Sequence, residues 1–217
     1  MKKGDFIWGG IFLMFCIGLI IPSTREAFIT FTSDHKLIGG FLKFSVLASM
    51  GDLLARRVGS GEWTFPSYFI MRALVWGVLG VLITIIFTIY PNGVIKAQAI
   101  HMLPFDGVKF WFAFLTAALM NATFAPTFMY THRISDTYLD MKSEGVKDIT
   151  LTKVVKRIDT AGFVTFVVMK TIPFFWIPAH TLTFLLPSEY RILAAALLSI
   201  ALGLILTISK KKQSKIA

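Results

Sequence analysis

Residues 66–90, PSYFIMRALVWGVLGVLITIIFTIY, decide the fold class. Apolar residues follow one another there instead of alternating with polar ones, and Arg72 is the single formal charge. About 20 such residues carry an α-helix across the hydrocarbon core of a bilayer. Working outward, five further windows have the same character: 6–22, 37–54, 108–130, 163–186 and 192–208. The whole chain has 217 residues, 55% of them hydrophobic and 16% charged, with a mean hydropathy of +0.70. Soluble domains carry about 25% charged residues. The expected fold is therefore all-α: a polytopic membrane helix bundle of about six transmembrane spans, one membrane domain over 1–217.

The formal charge of +10 comes from 22 Lys and Arg against 12 Asp and Glu. The basic residues flank apolar runs, so they point to anionic lipid and to topology and away from nucleic acid. With the amino terminus in the cytoplasm, fourteen of the 22 fall in loops and termini on that side. The far side has only Arg25, Lys36, Lys96, Lys109 and Arg191, while Lys43, Arg72 and Lys170 lie within spans. That bias predicts both termini inside, and the absence of an Arg- and Ser-rich transit peptide points to a bacterial cytoplasmic membrane. No small-x-small cleavage site follows the first apolar run, so it reads as a retained span. Cys16 is the single cysteine, which rules out a disulfide framework or a cysteine-based metal site.

Residues 131–162 form the long polar loop, on the cytoplasmic side. Leu151, Val154, Val155 and Ile158 repeat there at helical spacing with Lys153, Lys156 and Arg157 on other faces. Such an amphipathic helix either lies on an anionic inner leaflet or packs as a lid on the spans.

Ionisable groups at membrane depth are costly and usually face the bundle interior or a water-filled cavity. Lys43 and Lys170 fall near the middle of the second and fifth spans, with no carboxylate at their depth. A cavity for small anionic solutes answers that imbalance; hydrogen bonds to carbonyls or waters are the alternative. Asp52 and Arg72 lie at one depth on antiparallel spans, which makes an ion pair between them natural. Arg72 could instead snorkel to the interface. At 100° per residue Ser45, Ser49 and Asp52 share one stripe of the second span, with Lys43 opposite beside Gly39 and Gly40. Asn121 either joins two helices or lines a pore. Pro126, Pro173 and Pro178 interrupt the fourth and fifth spans. His180 is expected as an interfacial donor. Ala195, Ser199, Gly203 and Thr207 form a small-residue stripe on the last span, a packing face inside the bundle or for a homo-oligomer.

One arrangement has an enzymatic look. His132, Asp136, Asp140 and Glu144 recur every four residues as the fourth span leaves the membrane, and together could ligate Mg²⁺ or another hard cation. A solvated acidic face is the plainer reading. No nucleophile elbow, phosphate-binding glycine loop, zinc signature or dinucleotide fingerprint is present, so neither a catalytic residue nor a cofactor is expected.

Three stretches resemble a known family. Ser49-Met-Gly51-Asp52-Leu-Leu-Ala-Arg56 resembles the Gly-Asp motif of the peroxisomal membrane protein family, the twenty-two-kilodalton peroxisomal and inner mitochondrial class, which has bacterial relatives. Met120-Asn121-Ala-Thr-Phe124-Ala125-Pro126 resembles its Asp-Gln-x-x-x-x-Pro motif, with Met120 in place of the Asp. Trp176-Ile-Pro178 through Pro187-Ser-Glu-Tyr190-Arg191 resembles its carboxy-terminal signature, without that signature's Gln and Asn. The similarity covers about 36–209 and leaves 1–35 as an added first span and loop. It implies a small helical membrane protein of a kind associated with weakly selective passage of small solutes.

The sequence thus points to a channel or permeability pathway for small solutes, possibly preferring anions, with Lys43, Ser49, Asp52, Arg72, Asn121, Lys170 and His180 facing its cavity. The alternatives are a metal-dependent membrane enzyme acting on lipid at the inner leaflet through His132, Asp136, Asp140 and Glu144, and a scaffold without passage.

Overall fold

The computed structural model describes the backbone of residues 2–213, with side chains throughout except at 203 and 205–213. Every regular element among them is helical. In chain order these are α1 (Lys3–Ile20), α2 (Pro22–Asp34), α3 (Lys36–Ser60), α4 (Phe69–Ala99), α5 (Lys109–Thr123), α6 (Ala125–Ser143) and α7 (Leu151–Arg157). A short α8 (Thr160–Gly162) runs into a π-helical segment, Phe163–Trp176, then α9 (Ile177–Leu185) and α10 (Ser188–Gln213).

Four helical stretches are long and apolar enough to cross a membrane: Lys3–Ile20, Lys36–Ser60, Phe69–Ala99 and Thr160–Leu185. A fifth is the pair Lys109–Thr123 and Ala125–Ser143, if that pair, bent by 46°, counts as one span. The bend has a local cause. Pro126 sits in the first turn of α6 without an N–H to donate, so the ladder of α5 ends at Phe124. Of the six expected spans, 192–208 lies within α10, where Gly203 and Thr207 of the expected stripe fall outside the described side chains.

Two expectations change. The loop after the first span is a helix, α2, begun by Pro22 in its first turn, where the missing N–H costs nothing. The amphipathic segment of 131–162 forms only the seven residues of α7, capped by Thr150, whose hydroxyl accepts from the Lys153 amide at 3.3 Å. Its apolar face is closed off in part, since Leu151 stays exposed. Val154 and Ile158 pack with Met141 of α6 in a small core of their own.

Apolar surface gives helices little reason to associate in lipid; close packing and polar contacts must hold them. The α3–α4 crossing meets that demand at Gly40 and Gly80. A Cβ on Gly40 would lie 2.9 Å from the Gly80 carbonyl oxygen, and one on Gly80 would lie 2.6 Å from the Gly40 carbonyl oxygen. Gly51 admits α10 just as closely, with Ile200 Cα 3.2 Å from where its Cβ would be. Around these crossings lies the main core, with Phe44 and Leu47 of α3, Phe87 of α4, Met120 of α5, Phe184 of α9 and Ala196 of α10. The amino terminus is clasped to the α3–α4 loop. Asp5 accepts from Arg57 at 2.6 and 2.9 Å and from the Trp63 indole at 2.8 Å, and Lys2 pairs with Glu62.

Candidate functional site

Two cavities enter the bundle from opposite ends of α3 and α4. The first, of about 390 Å³, opens between α3, α4, α5, α6, the π-helical segment, α9 and α10. The second, of about 440 Å³, lies among α2, α3, α4 and the start of α10. Phe87 lines both. It stands 11 residues beyond Trp76 on α4, about 16 Å along the axis at 1.5 Å per residue.

The wide end of the first cavity is polar. Asp52, near the Ser60 end of α3, accepts from the Trp76 indole at 3.2 Å. The Trp76 ring lies against His132 of α6, with centroids 4.1 Å apart. His132 Nε2 is in turn 3.6 Å from Asp136 Oδ2. Deeper in, Asn121 of α5 donates one amide hydrogen to the Ala117 carbonyl at 2.8 Å and approaches His180 Nδ1 of α9 at 2.9 Å. Both residues are buried. With Nδ1 accepting, a neutral His180 carries its proton on Nε2. The Trp176 ring stacks on His180 at 5.1 Å, and its own buried N–H has no partner among the described residues. An unpaired buried donor costs about 1–3 kcal/mol. The widened turn of the π-helical segment, a form that recurs at functional sites, carries Val167 and Trp176 to this wall.

The second cavity is lined by Lys36 and Lys43 of α3 and by Glu189 and Arg191 of α10, with hydroxyls from Thr32 and Thr84. Lys43 is 8% exposed, and its ammonium lies 5.4 Å from the Phe28 ring centroid.

The expected site residues separate accordingly. Asp52, Asn121 and His180 line the first cavity and Lys43 the second. His180 is a buried interhelical partner, not an interfacial one, and Asn121 does join two helices. Ser49 is buried, its hydroxyl has no partner among the described residues, and it lines neither cavity. Lys170 is exposed on the π-helical segment and lines neither. It does not join Lys43 in one cavity, because helical depth fixes height and leaves facing free. The Asp52–Arg72 pair is also replaced. Arg72, with 8% of its side chain exposed, donates to Asp136 at 2.7 Å and Asp140 at 2.5 Å. It also donates to the Ser67 carbonyl at 3.1 Å. The helical run through His132, Asp136 and Asp140 forms, but its carboxylates are taken by Arg72, and Glu144 pairs with Arg157 at 2.6 Å. Among the described residues no group of three or more His, Cys, Asp or Glu side chains is arranged to hold a metal ion. The residues not foreseen are Trp76, Phe87, Trp176 and Glu189. All but Glu189 sit in apolar runs where no local signal distinguishes a wall from a lipid-facing ring.

No protein-family model, curated protein or solved structure matches the chain.

Proposed function

We propose that the protein is a multi-pass membrane protein that provides a pathway for small solutes. The observation that carries this reading is the pair of cavities reaching into the bundle from opposite ends of α3 and α4, with Phe87 as their shared wall. An aromatic ring shared by a mainly apolar space and a more polar one acts as a hydrophobic constriction of the kind that gates by excluding water. The outward apolar surface fits lipid: the spanning window of α1 is 0% and that of the Thr160–Leu185 stretch 6% buried inside the protein. The excess of Lys and Arg in the loops at the Asp52 end supports both termini in the cytoplasm of a bacterial cell, facing anionic lipid. The likeness to the peroxisomal membrane protein family supports the same activity, since Asn121 and Trp176 of its motifs line the first cavity.

The metal-dependent lipid enzyme draws no comparable support, because Arg72 and Arg157 engage the carboxylates it needs. Ala195 and Ser199 of the small-residue stripe line the first cavity, so this half of the stripe serves the bundle itself before any homo-oligomer.

The test is release of small anions, cations and neutral sugars from proteoliposomes against protein-free liposomes. The reading expects release of at least one class above the control. Release equal to the control for all three sinks it.

A further inference from the structure

We infer that the second cavity is an oxyanion site, built to hold a phosphate or carboxylate group on Lys43, Arg191 and Lys36. It rests on the pathway reading in naming what enters from that side, but it concerns binding and is read without transport.

The cations of the second cavity carry unanswered charge. Lys43 is buried, and an ammonium taken out of water must be paired or hydrogen-bonded. Among the described residues it has neither an ion pair nor a hydrogen-bond acceptor; its one recorded contact is the face of Phe28. A ring at 5.4 Å offsets part of that cost, on the order of 1–2 kcal/mol. Arg191 is held by its Nε donating to the Leu186 carbonyl at 3.0 Å and by the faces of Phe112 and Phe184. Its two terminal nitrogens have no acceptor among the described residues. The guanidinium is therefore fixed in place with its terminal donors free. Lys36 completes three cations around a space of about 440 Å³, with Thr32 and Thr84 at its wall. The one carboxylate there, Glu189, accepts from Ser188 at 3.2 Å and forms no ion pair within 4 Å with any of the three.

Three cations against one carboxylate that forms no ion pair with them suit a guest carrying negative charge and acceptor oxygens. A forked guanidinium with a nearby ammonium matches the shape of a phosphate or carboxylate. A free anion and the headgroup of an anionic lipid share this chemistry, and the two sources are separable.

The experiment measures thermal protection of the purified full chain in uncharged detergent by inorganic phosphate. In parallel, the chain is measured in nanodiscs of phosphatidylcholine with and without phosphatidylglycerol. The site predicts protection by phosphate, or by phosphatidylglycerol alone if the lipid is the source. In either arm Lys43→Met weakens the apparent affinity at least about tenfold, the worth of one charge-assisted hydrogen bond. Glu189→Gln is the second variant, and it removes the one repelling group; affinity then rises several-fold, which a merely structural role for these residues does not produce. Absence of protection in both arms overturns the inference. So does protection that Lys43→Met and Glu189→Gln both leave unchanged.

Discussion

The ring of Phe87 stands edge-on to the imidazole of His180, with centroids 5.6 Å apart and planes at 84°. Phe184 lies 4.9 Å from the same Phe87 ring. These contacts brace Phe87, which lines both cavities, against α9.

Cavities that open to opposite sides give opposite labelling. In a Cys16→Ser background, Ser33→Cys lines the second cavity and Ser199→Cys the first. A membrane-impermeant thiol reagent should reach the cysteine at 33 from the outer face of oriented vesicles. The cysteine at 199 should react only from the cytoplasmic face.

Arg72 anchors α4 to α6, and its loss exposes what it neutralises. Breaking a buried pair costs about 3–5 kcal/mol. With 56% of the Asp140 side chain exposed, solvent screening reduces that to about 2–3 kcal/mol for Arg72→Met. Asp140→Asn should cost less than Asp136→Asn, whose side chain is 26% exposed. Thermal unfolding in detergent measures all three.

Asn121 and His180 join α5 to α9 through one hydrogen bond at 2.9 Å. Pairs of this kind in membrane bundles are worth about 0.6–1.7 kcal/mol. A double-mutant cycle of Asn121→Leu and His180→Phe should return a coupling energy in that range. Additive losses would show that the two residues act separately.

The glycines differ sharply in what they tolerate. Gly80→Val places a side chain against the Gly40 carbonyl and Phe44, so the folded yield should fall steeply. Gly93 lies in the same helix with nothing within 4 Å of its missing Cβ. Gly93→Ala should be neutral or stabilise by about 0.5–1 kcal/mol. Gel filtration of the two variants separates packing from helix propensity.

The long apolar helices were readable from runs in which polar residues are sparse, as over α3, α4 and the stretch from Thr160 to Leu185. Relative position along the helices was readable too: Asp52 bonds Trp76, one turn from Arg72, near the same end. Facing was not. Lys170 has the depth of a buried cation, yet its helix turns it outward. The π-helical winding of Phe163–Trp176 departs from 100° per residue, so phase counted along the sequence drifts from the real faces. The true partners of Arg72 were hidden for another reason. They belong to the part of α6 beyond residue 130, which hydropathy assigns to a loop. The α2 helix was missed because residues 22–34 lack an apolar run, and their helix is begun by a proline that reads equally well as a break.

The central claim is that solute passes between the two cavities at Phe87. Its most direct test compares solute release from matched proteoliposomes holding the natural chain, Phe87→Ala and Phe87→Trp, each shown to be folded by gel filtration. Removing a buried phenylalanine ring costs about 3–5 kcal/mol of stability, so folded yield is the control for each. The account predicts faster release through Phe87→Ala and slower release through Phe87→Trp. Equal rates for three folded proteins would contradict it.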